Sequence, residues 1–357
     1  MRVIREGDRG RQVADVQRRL ASLGHAPTTR ETIGVFGPDT KTRIMAFQQE
    51  RGLSVDGIVG DETWRQLVEA SWRLGDRVLY LAAPHLRGDD VRDLQDRLAT
   101  LGFNSGRTDG IFGPQTETAV REFQRNYGLP PDGIVAAQSV RALTGLPRMA
   151  GDLPVGVLRE REAMRRRAAA GIAGLRVVLD PGHGGSDPGF VGASGAREAD
   201  VCFAVATALE GALSASGTQV FLTRRQGDGP SDAERATLAN TLEADLVIAL
   251  HCGGAEPSAR GAAAFYFGHE RFHSEIGMRV ADLLLEHVCP LGFINGRAHA
   301  KTFPILRETR MPAVVLEAGY ITNPDEERLL GDPGFQQKLA SAVAEALRHF
   351  AREPANA

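Results

Sequence analysis

The sequence feature that most restricts the fold is a tandem repeat in the N-terminal part of the chain. Phe36-Gly37-Pro38 recurs as Phe112-Gly113-Pro114, 76 residues later, and Asp56-Gly57-Ile58-Val59 recurs as Asp132-Gly133-Ile134-Val135 at the same offset. Apolar residues three and four apart precede the first motif of each copy, which predicts an amphipathic helix. These positions are Val13, Val16, Leu20 and Leu23 in the first copy and Val91, Leu94, Leu98 and Leu101 in the second. We therefore expect two copies of a compact bundle of about three short helices.

Glycine and proline mark the limits of these helices and of the domains. A Leu-Gly pair follows the first helix of each copy, and Gly-Pro precedes the next helix. We predict two small all-α domains over residues 1–72 and 80–146, followed by a linker over residues 147–174 that contains several Pro and Gly residues. A basic stretch from Arg159 to Arg167 lies in this linker. We interpret it as a solvated helix, with docking to an acidic partner or a membrane surface as the alternative.

Residues 175–352 have a different pattern, in which short apolar runs alternate with helical periodicity. The apolar runs, which predict buried strands, are Val177–Leu179, Val220–Leu222, Leu246–Leu250 and Val314–Leu316. Helical patterns cover Val201–Leu213, Met278–Val288 and Leu339–Phe350. This alternation predicts an α/β domain with a twisted, mainly parallel sheet flanked by helices.

Composition excludes several classes of protein. Of the 357 residues, 42% are hydrophobic and 24% are charged, which are values typical of a folded globular protein. The formal charge of −3 argues against a nucleic-acid partner, and no apolar run approaches the roughly 20 residues of a membrane helix. The three cysteines are too few and too scattered for a disulfide framework. The first residues lack the apolar core of an export signal, so we expect a cytoplasmic protein, or a cell-wall protein if it is exported by another route.

Four polar residues fall where an α/β sheet places its ligands. His183 follows the first predicted strand, His251 follows the strand Leu246–Leu250, and Glu317 follows Leu316. Glu198 precedes a predicted helix near the same carboxyl edge of the sheet. Two imidazoles and a carboxylate suffice for a catalytic zinc ion, and a second glutamate could act as its general base.

A structural interpretation of these residues is the alternative. A single histidine after a strand is more often a hydrogen-bonded structural residue than a metal ligand. Glu317 on a buried strand is harder to explain in that way, because an unpaired buried carboxylate is costly. It would need an arginine partner, and Arg224, at the end of the second predicted strand, could serve.

Taken together, the motifs of this part of the chain resemble those of one family. They are Asp180-Pro181-Gly182-His183-Gly184-Gly185, Glu198, Leu222-Thr223-Arg224, Glu234-Arg235, Ala239-Asn240, His251 and Glu317-Ala318-Gly319-Tyr320-Ile321-Thr322-Asn323. In this order they resemble the zinc-dependent N-acetylmuramoyl-L-alanine amidases of the Amidase_3 type, over roughly residues 175–350. The resemblance implies one Zn²⁺ held by His183, Glu198 and His251, with Glu317 as the catalytic residue and Arg224 in a supporting role. It also implies peptidoglycan as the substrate, cut between the muramoyl lactyl group and L-alanine.

The N-terminal repeats resemble the peptidoglycan-binding type 1 domain. Asp56-Gly57-Ile58-Val59-Gly60 with Thr63 fits the terminal motif of that domain, whereas the second copy has Ala136 and Ser139 at the last two positions. The resemblance implies binding of peptidoglycan, muropeptides or lipid-linked or nucleotide precursors. Helical units of this kind can also serve only as spacers or protein-docking modules.

The chain departs from the amidase family around the second histidine. The family usually has Ser-Ile-His-Ala-Asn, and this chain has Ala249-Leu250-His251-Cys252-Gly253. Asparagine is likewise common in the family where Cys202 stands. We therefore expect fewer polar groups around the metal ligands than the family usually has. Such groups tune the affinity for the metal and the rate of catalysis. Cys252 is interpreted as a small core residue, with an oxidation-sensitive thiol or an adventitious ligand as alternatives.

The domain layout supports a second hypothesis. Tandem binding repeats before an amidase domain, without an export signal, resemble a group of actinobacterial amidase-like proteins. That resemblance implies a cytoplasmic, weakly catalytic or non-catalytic regulator that binds the enolpyruvyl transferase acting on UDP-N-acetylglucosamine. Because all four site residues are present, we rank hydrolysis first.

Overall fold

The computed structural model describes residues 3–28, 31–146, 171–269 and 272–352. The chain divides into two compact units, Met1–Arg159 and Glu160–Ala357. Most of the predicted linker and the whole basic stretch lie outside the described residues. Only residues 171–174 of the linker are described, and Ile172–Gly174 forms a short 3-10 turn.

The N-terminal unit is helical, as the repeat predicts. Each copy contributes three helices and has its own apolar core. In each copy an antiparallel bridge joins the segment before the first helix to the segment before the third, Ile4 to Val59 in the first copy and Leu79 to Val135 in the second. The helices are α1 Arg11–Ser22, α2 Pro38–Glu50, α3 Asp61–Glu69, α4 Asp89–Thr100, α5 Pro114–Asn126 and α6 Ala137–Gly145.

Buried glutamines hold the turns between these helices. Gln48 on α2 donates from Nε2 to Ile58 O at 2.9 Å and to Thr63 Oγ1 at 3.1 Å, and its Oε1 accepts from Gly57 N at 2.9 Å. Gly57 has φ of 70°, a backbone conformation that a glycine adopts without strain. The equivalent glutamines Gln17, Gln95 and Gln124 make the same three kinds of contact. Each copy therefore consists of two related halves, a finer repeat than the sequence analysis found.

The four turns held by these glutamines differ in the acidic residue that accepts a hydrogen bond from the glutamine amide. In three of them an aspartate, Asp56, Asp109 or Asp132, accepts a hydrogen bond from the glutamine amide. In the first half of the first copy Ile33 precedes the turn glycine and is 77% exposed. There the carboxylate of Glu31 accepts from Gln17 Nε2 at 3.4 Å and from the backbone N–H of Thr40 at 3.0 Å. A glutamate two residues earlier thus replaces the aspartate.

Ion pairs connect the two helical copies. Arg51 of the first copy donates two hydrogen bonds to the carboxylate of Asp89 at the start of α4, at 2.7 and 2.9 Å. Burial lowers the pKa of Arg51, but hydrogen bonding and charge from Asp89 reverse this, and the net shift is upward. Arg77 binds the buried Asp90 at 2.7 Å and lies over the Trp72 ring at 4.5 Å. Bidentate arginine contacts of this kind fix orientation as well as distance.

The C-terminal unit is built on a seven-stranded sheet. Its strands are β1 Arg176–Pro181, β2 Gln219–Leu222, β3 Leu246–Gly253, β4 Ala262–His269, β5 Phe272–His273, β6 Asn295–Lys301 and β7 Ala313–Tyr320. The order is β2-β1-β3-β7-β4-β5, with β6 paired to β4. Strands β2, β1, β3 and β7 are parallel, whereas β4 is antiparallel to β7. The predicted parallel strands are confirmed, and the sheet as a whole is mixed.

Helices cover this sheet, as predicted. They are α7 Glu198–Ser214, α8 Asp232–Thr241, α9 Glu275–Val288, α10 Pro304–Glu308, α11 Pro324–Gly331 and α12 Pro333–Arg352, with a 3-10 turn at Cys289–Leu291. Helices α7, α9 and α12 contribute to one large apolar core with the strands. No helix in the described ranges combines the length and the apolar character that crossing a bilayer requires.

Candidate metal centre

Three predicted side chains converge at the carboxyl edge of the parallel strands. The Oε1 atom of Glu198 lies 3.1 Å from His183 Nε2 and 3.0 Å from His251 Nδ1. One potential ligand atom from each residue lies within 4.8 Å of the other two. In the described part of the chain, these residues form the one group of three or more His, Cys, Asp or Glu side chains close enough to hold an ion.

The strands and the loop after β1 place the two histidines. His183 lies just beyond β1 with φ of 58°, an uncommon conformation for a residue other than glycine. His251 lies in β3, paired in parallel register with Glu317 of β7. Gly182 has to be small, because a Cβ there would lie 2.3 Å from His251 Cε1. The two imidazole rings are nearly perpendicular, with centroids 5.0 Å apart.

Glu198 is the first residue of α7 and is almost fully buried. Its Oε1 accepts the backbone N–H of Cys252 at 3.0 Å, and its Oε2 accepts that of Phe190 at 2.9 Å. Burial raises the pKa of this carboxyl group, but hydrogen bonds and charges from His183 and His251 outweigh burial and lower the pKa to about 2. The group is therefore a carboxylate at neutral pH.

A carboxylate orients His183 from the other side. Asp187 Oδ2 lies 2.7 Å from His183 Nδ1, so Nε2 is left to face Glu198. Burial lowers the pKa of His183, but hydrogen bonds and charges from Glu198 and Asp187 reverse this effect and raise it to about 9. A carboxylate behind a metal-binding histidine is a common feature of zinc sites. Sequence reasoning missed Asp187, whose position four residues after His183 was the available signal.

The donor set fits a zinc ion. Two imidazole nitrogens and one carboxylate oxygen are the ligands of many catalytic zinc sites. Ligands about 2.0–2.1 Å from a tetrahedral ion lie about 3.3 Å apart, close to the 3.0 and 3.1 Å separations from Glu198 Oε1. The three side chains could therefore close on one ion with small adjustments.

Glu317 lies beside this group on β7. Among the residues that the structure describes, none donates a hydrogen bond to its carboxylate. Burial raises its pKa, while the charges of His251 and Lys301 act in the opposite direction. A half-buried carboxylate with a raised pKa, next to a metal site, is suited to accept and release a proton.

Arg224 does not pair with Glu317, so it is not the arginine partner that the structural interpretation of Glu317 would need. The Arg224 guanidinium instead donates to the carbonyl oxygens of Pro181, Gly182 and Ala199, at 2.8, 3.0 and 2.8 Å. These contacts tie the end of β1 to the first turn of α7. Arg224 thus connects the two segments that carry His183 and Glu198.

Arg235 is a further supporting residue, to which sequence reasoning gave no role. Its guanidinium donates to Asp180 Oδ1 at 2.7 Å and to the carbonyl oxygen of His183 at 2.6 Å. Asp180 also accepts from the Thr223 hydroxyl. The loop that holds His183 is therefore fixed by two buried arginines.

The two cysteines at the departures from the family pattern are both buried. Cys202 and Cys252 belong to the large apolar core, at 2% and 4% exposure. Burial, together with a hydrogen bond between the two thiols, raises the pKa of Cys202. Cys252 contributes its backbone N–H, rather than its thiol, to Glu198.

Comparison with known proteins agrees with the geometry. Residues 177–349 match the family described as N-acetylmuramoyl-L-alanine amidase. Residues 9–67 and 87–143 each match the peptidoglycan binding domain family.

Relatives include N-acetylmuramoyl-L-alanine amidase CwlM of Mycobacterium tuberculosis, which is 40% identical over 97% of this chain and 89% of its own length. The germination-specific N-acetylmuramoyl-L-alanine amidase of Bacillus subtilis is 32% identical, over 50% of this chain and 81% of that protein. N-acetylmuramoyl-L-alanine amidase AmiA of Escherichia coli is 29% identical, over 48% of this chain and 74% of that protein.

Among solved structures, amidase AmiC2 of Nostoc punctiforme is 25% identical, with a TM-score of 0.47 over 50% of this chain and 98% of that chain. Amidase Ami1 of Mycobacterium smegmatis is 24% identical, with a TM-score of 0.48 over 51% of this chain and 98% of that chain. The identity to the M. tuberculosis relative extends over the helical copies and the sheet alike. The chain therefore belongs to the N-acetylmuramoyl-L-alanine amidase family, in the form that carries two peptidoglycan-binding domains ahead of the amidase domain.

Proposed function

We propose that the protein hydrolyses the amide between N-acetylmuramic acid and L-alanine in peptidoglycan or its fragments, using one zinc ion. The supporting observation is the convergence of His183, Glu198 and His251 within 4.8 Å, with Glu317 on the neighbouring strand. His183, Glu198 and His251 are the proposed ligands, and Glu317 is the proposed catalytic residue. A zinc ion held by these three residues would polarise the scissile carbonyl and lower the pKa of a water molecule to about 7.

In this mechanism Glu317 moves the proton. Its carboxylate accepts a proton as water attacks the carbonyl carbon of the lactyl group. The same carboxyl group then donates the proton to the leaving nitrogen as the carbon–nitrogen bond breaks. The products are a lactyl carboxylate and the free amine of L-alanine. The raised pKa of Glu317 favours the first transfer, because the protonated carboxyl that it forms is less costly than the carboxylate in this half-buried position.

The surrounding residues hold the proposed ligands in place. Asp187 fixes the ring orientation of His183, and the backbone N–H groups of Phe190 and Cys252 fix Glu198. Arg224 is a positioning residue through its three carbonyl contacts. Pre-orientation of this kind lowers the entropy cost of assembling the reacting groups.

The helical copies are proposed to bring the enzyme to its substrate. We assign peptidoglycan binding to residues 1–72 and 80–146, and hydrolysis to residues 175–352. The matches of both copies to the peptidoglycan binding domain family support this division.

The test is an activity assay on the zinc-loaded full chain. Wild-type protein and Glu317→Gln are incubated with N-acetylmuramoyl-L-alanyl-D-isoglutamine, and the free amine of L-alanine is quantified. We expect release by the wild type and a loss of about 10²–10⁴-fold in Glu317→Gln. Both proteins should carry the same amount of zinc. Glu256→Gln, at an exposed glutamate in the loop after β3, is the matched control and should retain wild-type activity.

Two outcomes would contradict the proposal. Equal release by wild type and Glu317→Gln would remove Glu317 from the mechanism. No release by the zinc-loaded wild type would favour the regulatory alternative, in which the protein binds precursors and the enolpyruvyl transferase without cutting the amide.

A further inference from the structure

An aromatic side chain is exposed at the edge of the candidate metal centre. Phe190 is 48% exposed, and so is its neighbour Val191. The backbone of this segment lies directly against the proposed ligands. The Phe190 N–H donates to Glu198 Oε2, and a Cβ at Gly189 would lie 2.5 Å from that oxygen and 2.7 Å from His183 Cδ2.

The Phe190 ring packs on the end of the strand that carries His251. A Cβ at Gly254 would lie 2.0 Å from Phe190 Cγ, so no other residue fits there without moving the ring. The Phe190 ring therefore rests on Gly254, just after the strand that carries the proposed ligand His251.

The loop that carries Phe190 is fixed at its far end. The backbone N–H and the hydroxyl of Ser194 both donate to Glu327 Oε1, at 2.9 and 2.7 Å. A Cβ at Gly192 would lie 2.0 Å from the same oxygen. The loop is anchored to Glu198 at one end and to Glu327 at the other. The ring is therefore presented by a loop that is anchored at both ends, which an incidental surface side chain does not need.

We propose that Phe190 is a platform for the pyranose ring of the muramoyl substrate and so determines specificity for a sugar. This inference rests on the proposed amidase function. The C–H face of a pyranose is apolar and weakly positive, which complements the negative face of an aromatic ring. In the substrate, only an ether oxygen and one lactyl carbon separate the sugar from the scissile carbonyl. A sugar bound during the reaction must therefore lie beside the metal ligands, where Phe190 is.

The test compares two substrates with the same scissile amide. One is N-acetylmuramoyl-L-alanyl-D-isoglutamine, and the other is lactoyl-L-alanyl-D-isoglutamine, which lacks the sugar. With zinc-loaded full-length protein, we expect Phe190→Ala to lower kcat/KM about tenfold for the first substrate and less than about twofold for the second. Phe190→Trp should keep the preference for the sugar, because it keeps an aromatic face. Val191→Ala, with equal exposure, is the matched control and should change neither value.

The outcomes separate this inference from the proposed function. An equal loss on both substrates would show that Phe190 only supports Glu198, and no loss on either would show that its ring contacts no sugar; each overturns the platform. If the zinc-loaded wild type cuts neither substrate, the proposed function fails, and calorimetric binding of the two compounds then decides the platform. We expect the sugar to strengthen binding to wild type and not to Phe190→Ala. Equal affinity of the wild type for both compounds would refute it.

Discussion

The helical copies and the candidate metal centre both contain buried polar side chains, but these side chains differ in how fully they are hydrogen-bonded. Gln48, at 1% exposure, uses both its amide nitrogen and its amide oxygen in hydrogen bonds within its own copy. Glu317 is half-buried, and within the described ranges its carboxylate accepts no hydrogen bond. A buried polar group whose hydrogen-bond partners are all present is compatible with a stable fold. A buried polar group that lacks them reduces the stability of the fold, and a role in chemistry is one reason for a protein to keep it. Within one chain, hydrogen-bond partners thus distinguish residues that stabilise the fold from residues suited to catalysis.

Glu198 stands between these two cases. Both its oxygens accept backbone N–H groups, as a structural carboxylate would. Two imidazoles also converge on its Oε1 atom, which brings three nitrogen atoms to about 3 Å of one oxygen. Such a concentration of donors around one carboxylate exceeds what a fold requires. A cation shared by the three side chains would account for it.

The strongest test of this comparison removes a proposed ligand. In His251→Ala we expect bound zinc to fall from one ion per chain to almost none and hydrolysis to fall by more than about 10³-fold. Zinc is measured by elemental analysis after gel filtration. His287→Ala alters a histidine of α9 that lies 3.3 Å from His349, outside the proposed site, and should retain both zinc and activity. Full zinc occupancy in His251→Ala would break the assignment.

A smaller loss of zinc binding is expected from substitution of Asp187, which contacts the proposed ligand His183. Asp187→Asn keeps the size of the side chain but loses the negative charge that orients His183. We expect zinc affinity to fall about 10–100-fold, measured by competition with a chelator. Asp200→Asn, at an exposed carboxylate in the first turn of α7, provides the control and should bind zinc as the wild type does. Equal affinity of both variants would make Asp187 a loop residue only.

The fold was predictable where burial on both sides gives a strong apolar run. Val177–Leu179, Leu246–Leu250 and Val314–Leu316 lie in the confirmed parallel strands. Strand β6, Asn295–Lys301, was missed because it is mostly exposed and has no apolar pattern, and its strand conformation comes from pairing with β4. Long-range pairing of this kind leaves little signal in the local sequence.

The candidate site was predictable to a similar degree. His183, His251 and Glu198 were proposed from their positions near the carboxyl ends of strands, and the structure brings them together. Asp187 and Phe190 were not proposed, because their contacts depend on how the loop after β1 folds back on Glu198. The ends of buried strands can be located from the hydrophobic pattern of the sequence. The path of a loop depends on long-range contacts, which that pattern does not reveal.

In the helical copies, the prediction concerns stability rather than chemistry. Gln48→Leu leaves the Gly57 N–H and the Thr63 hydroxyl without this partner, which we expect to cost about 2 kcal/mol. Both tryptophans of the chain, Trp64 and Trp72, lie in or next to the first copy, so their fluorescence in a urea titration reports on that region. Gln49→Leu changes the exposed neighbour on the same helix and should cost little.

Hydrolysis provides the other half of this test. Gln48→Leu should cut the small muramoyl dipeptide at the wild-type rate, because its effect is confined to the N-terminal unit. A loss of both stability and activity would remove the distinction between the two kinds of buried polar residue.

The turn of the first copy in which Glu31 replaces the aspartate provides a test with a smaller expected change in stability. Glu31→Ala removes the carboxylate that accepts from Gln17 and Thr40, and we expect a cost of about 1 kcal/mol. Adding Ile33→Asp restores the acid at the position that the other three turns use, and should recover about half of this loss. Tryptophan fluorescence in urea again provides the measurement. No recovery in the double variant would contradict the equivalence of the four turns.

The smallest effect concerns two adjacent glutamates that hold loops near the site. Hydrogen bonds from Ser194 lower the pKa of Glu327, so its contribution to stability is present above the ordinary glutamate pKa of 4.5 and is lost as the pH falls through the lowered value. Burial raises the pKa of Glu326, so the stability it contributes has the opposite trend and decreases as the pH rises through its pKa. The difference in melting temperature between wild type and Glu327→Gln should therefore stay constant from pH 7 down to about 4.5 and shrink as the pH is lowered further. As the pH is lowered over the same interval, the melting temperature of the wild type should rise relative to that of Glu326→Gln. Parallel trends in the two variants would show that the different partners of these neighbouring carboxylates on α11 do not set their contributions to stability.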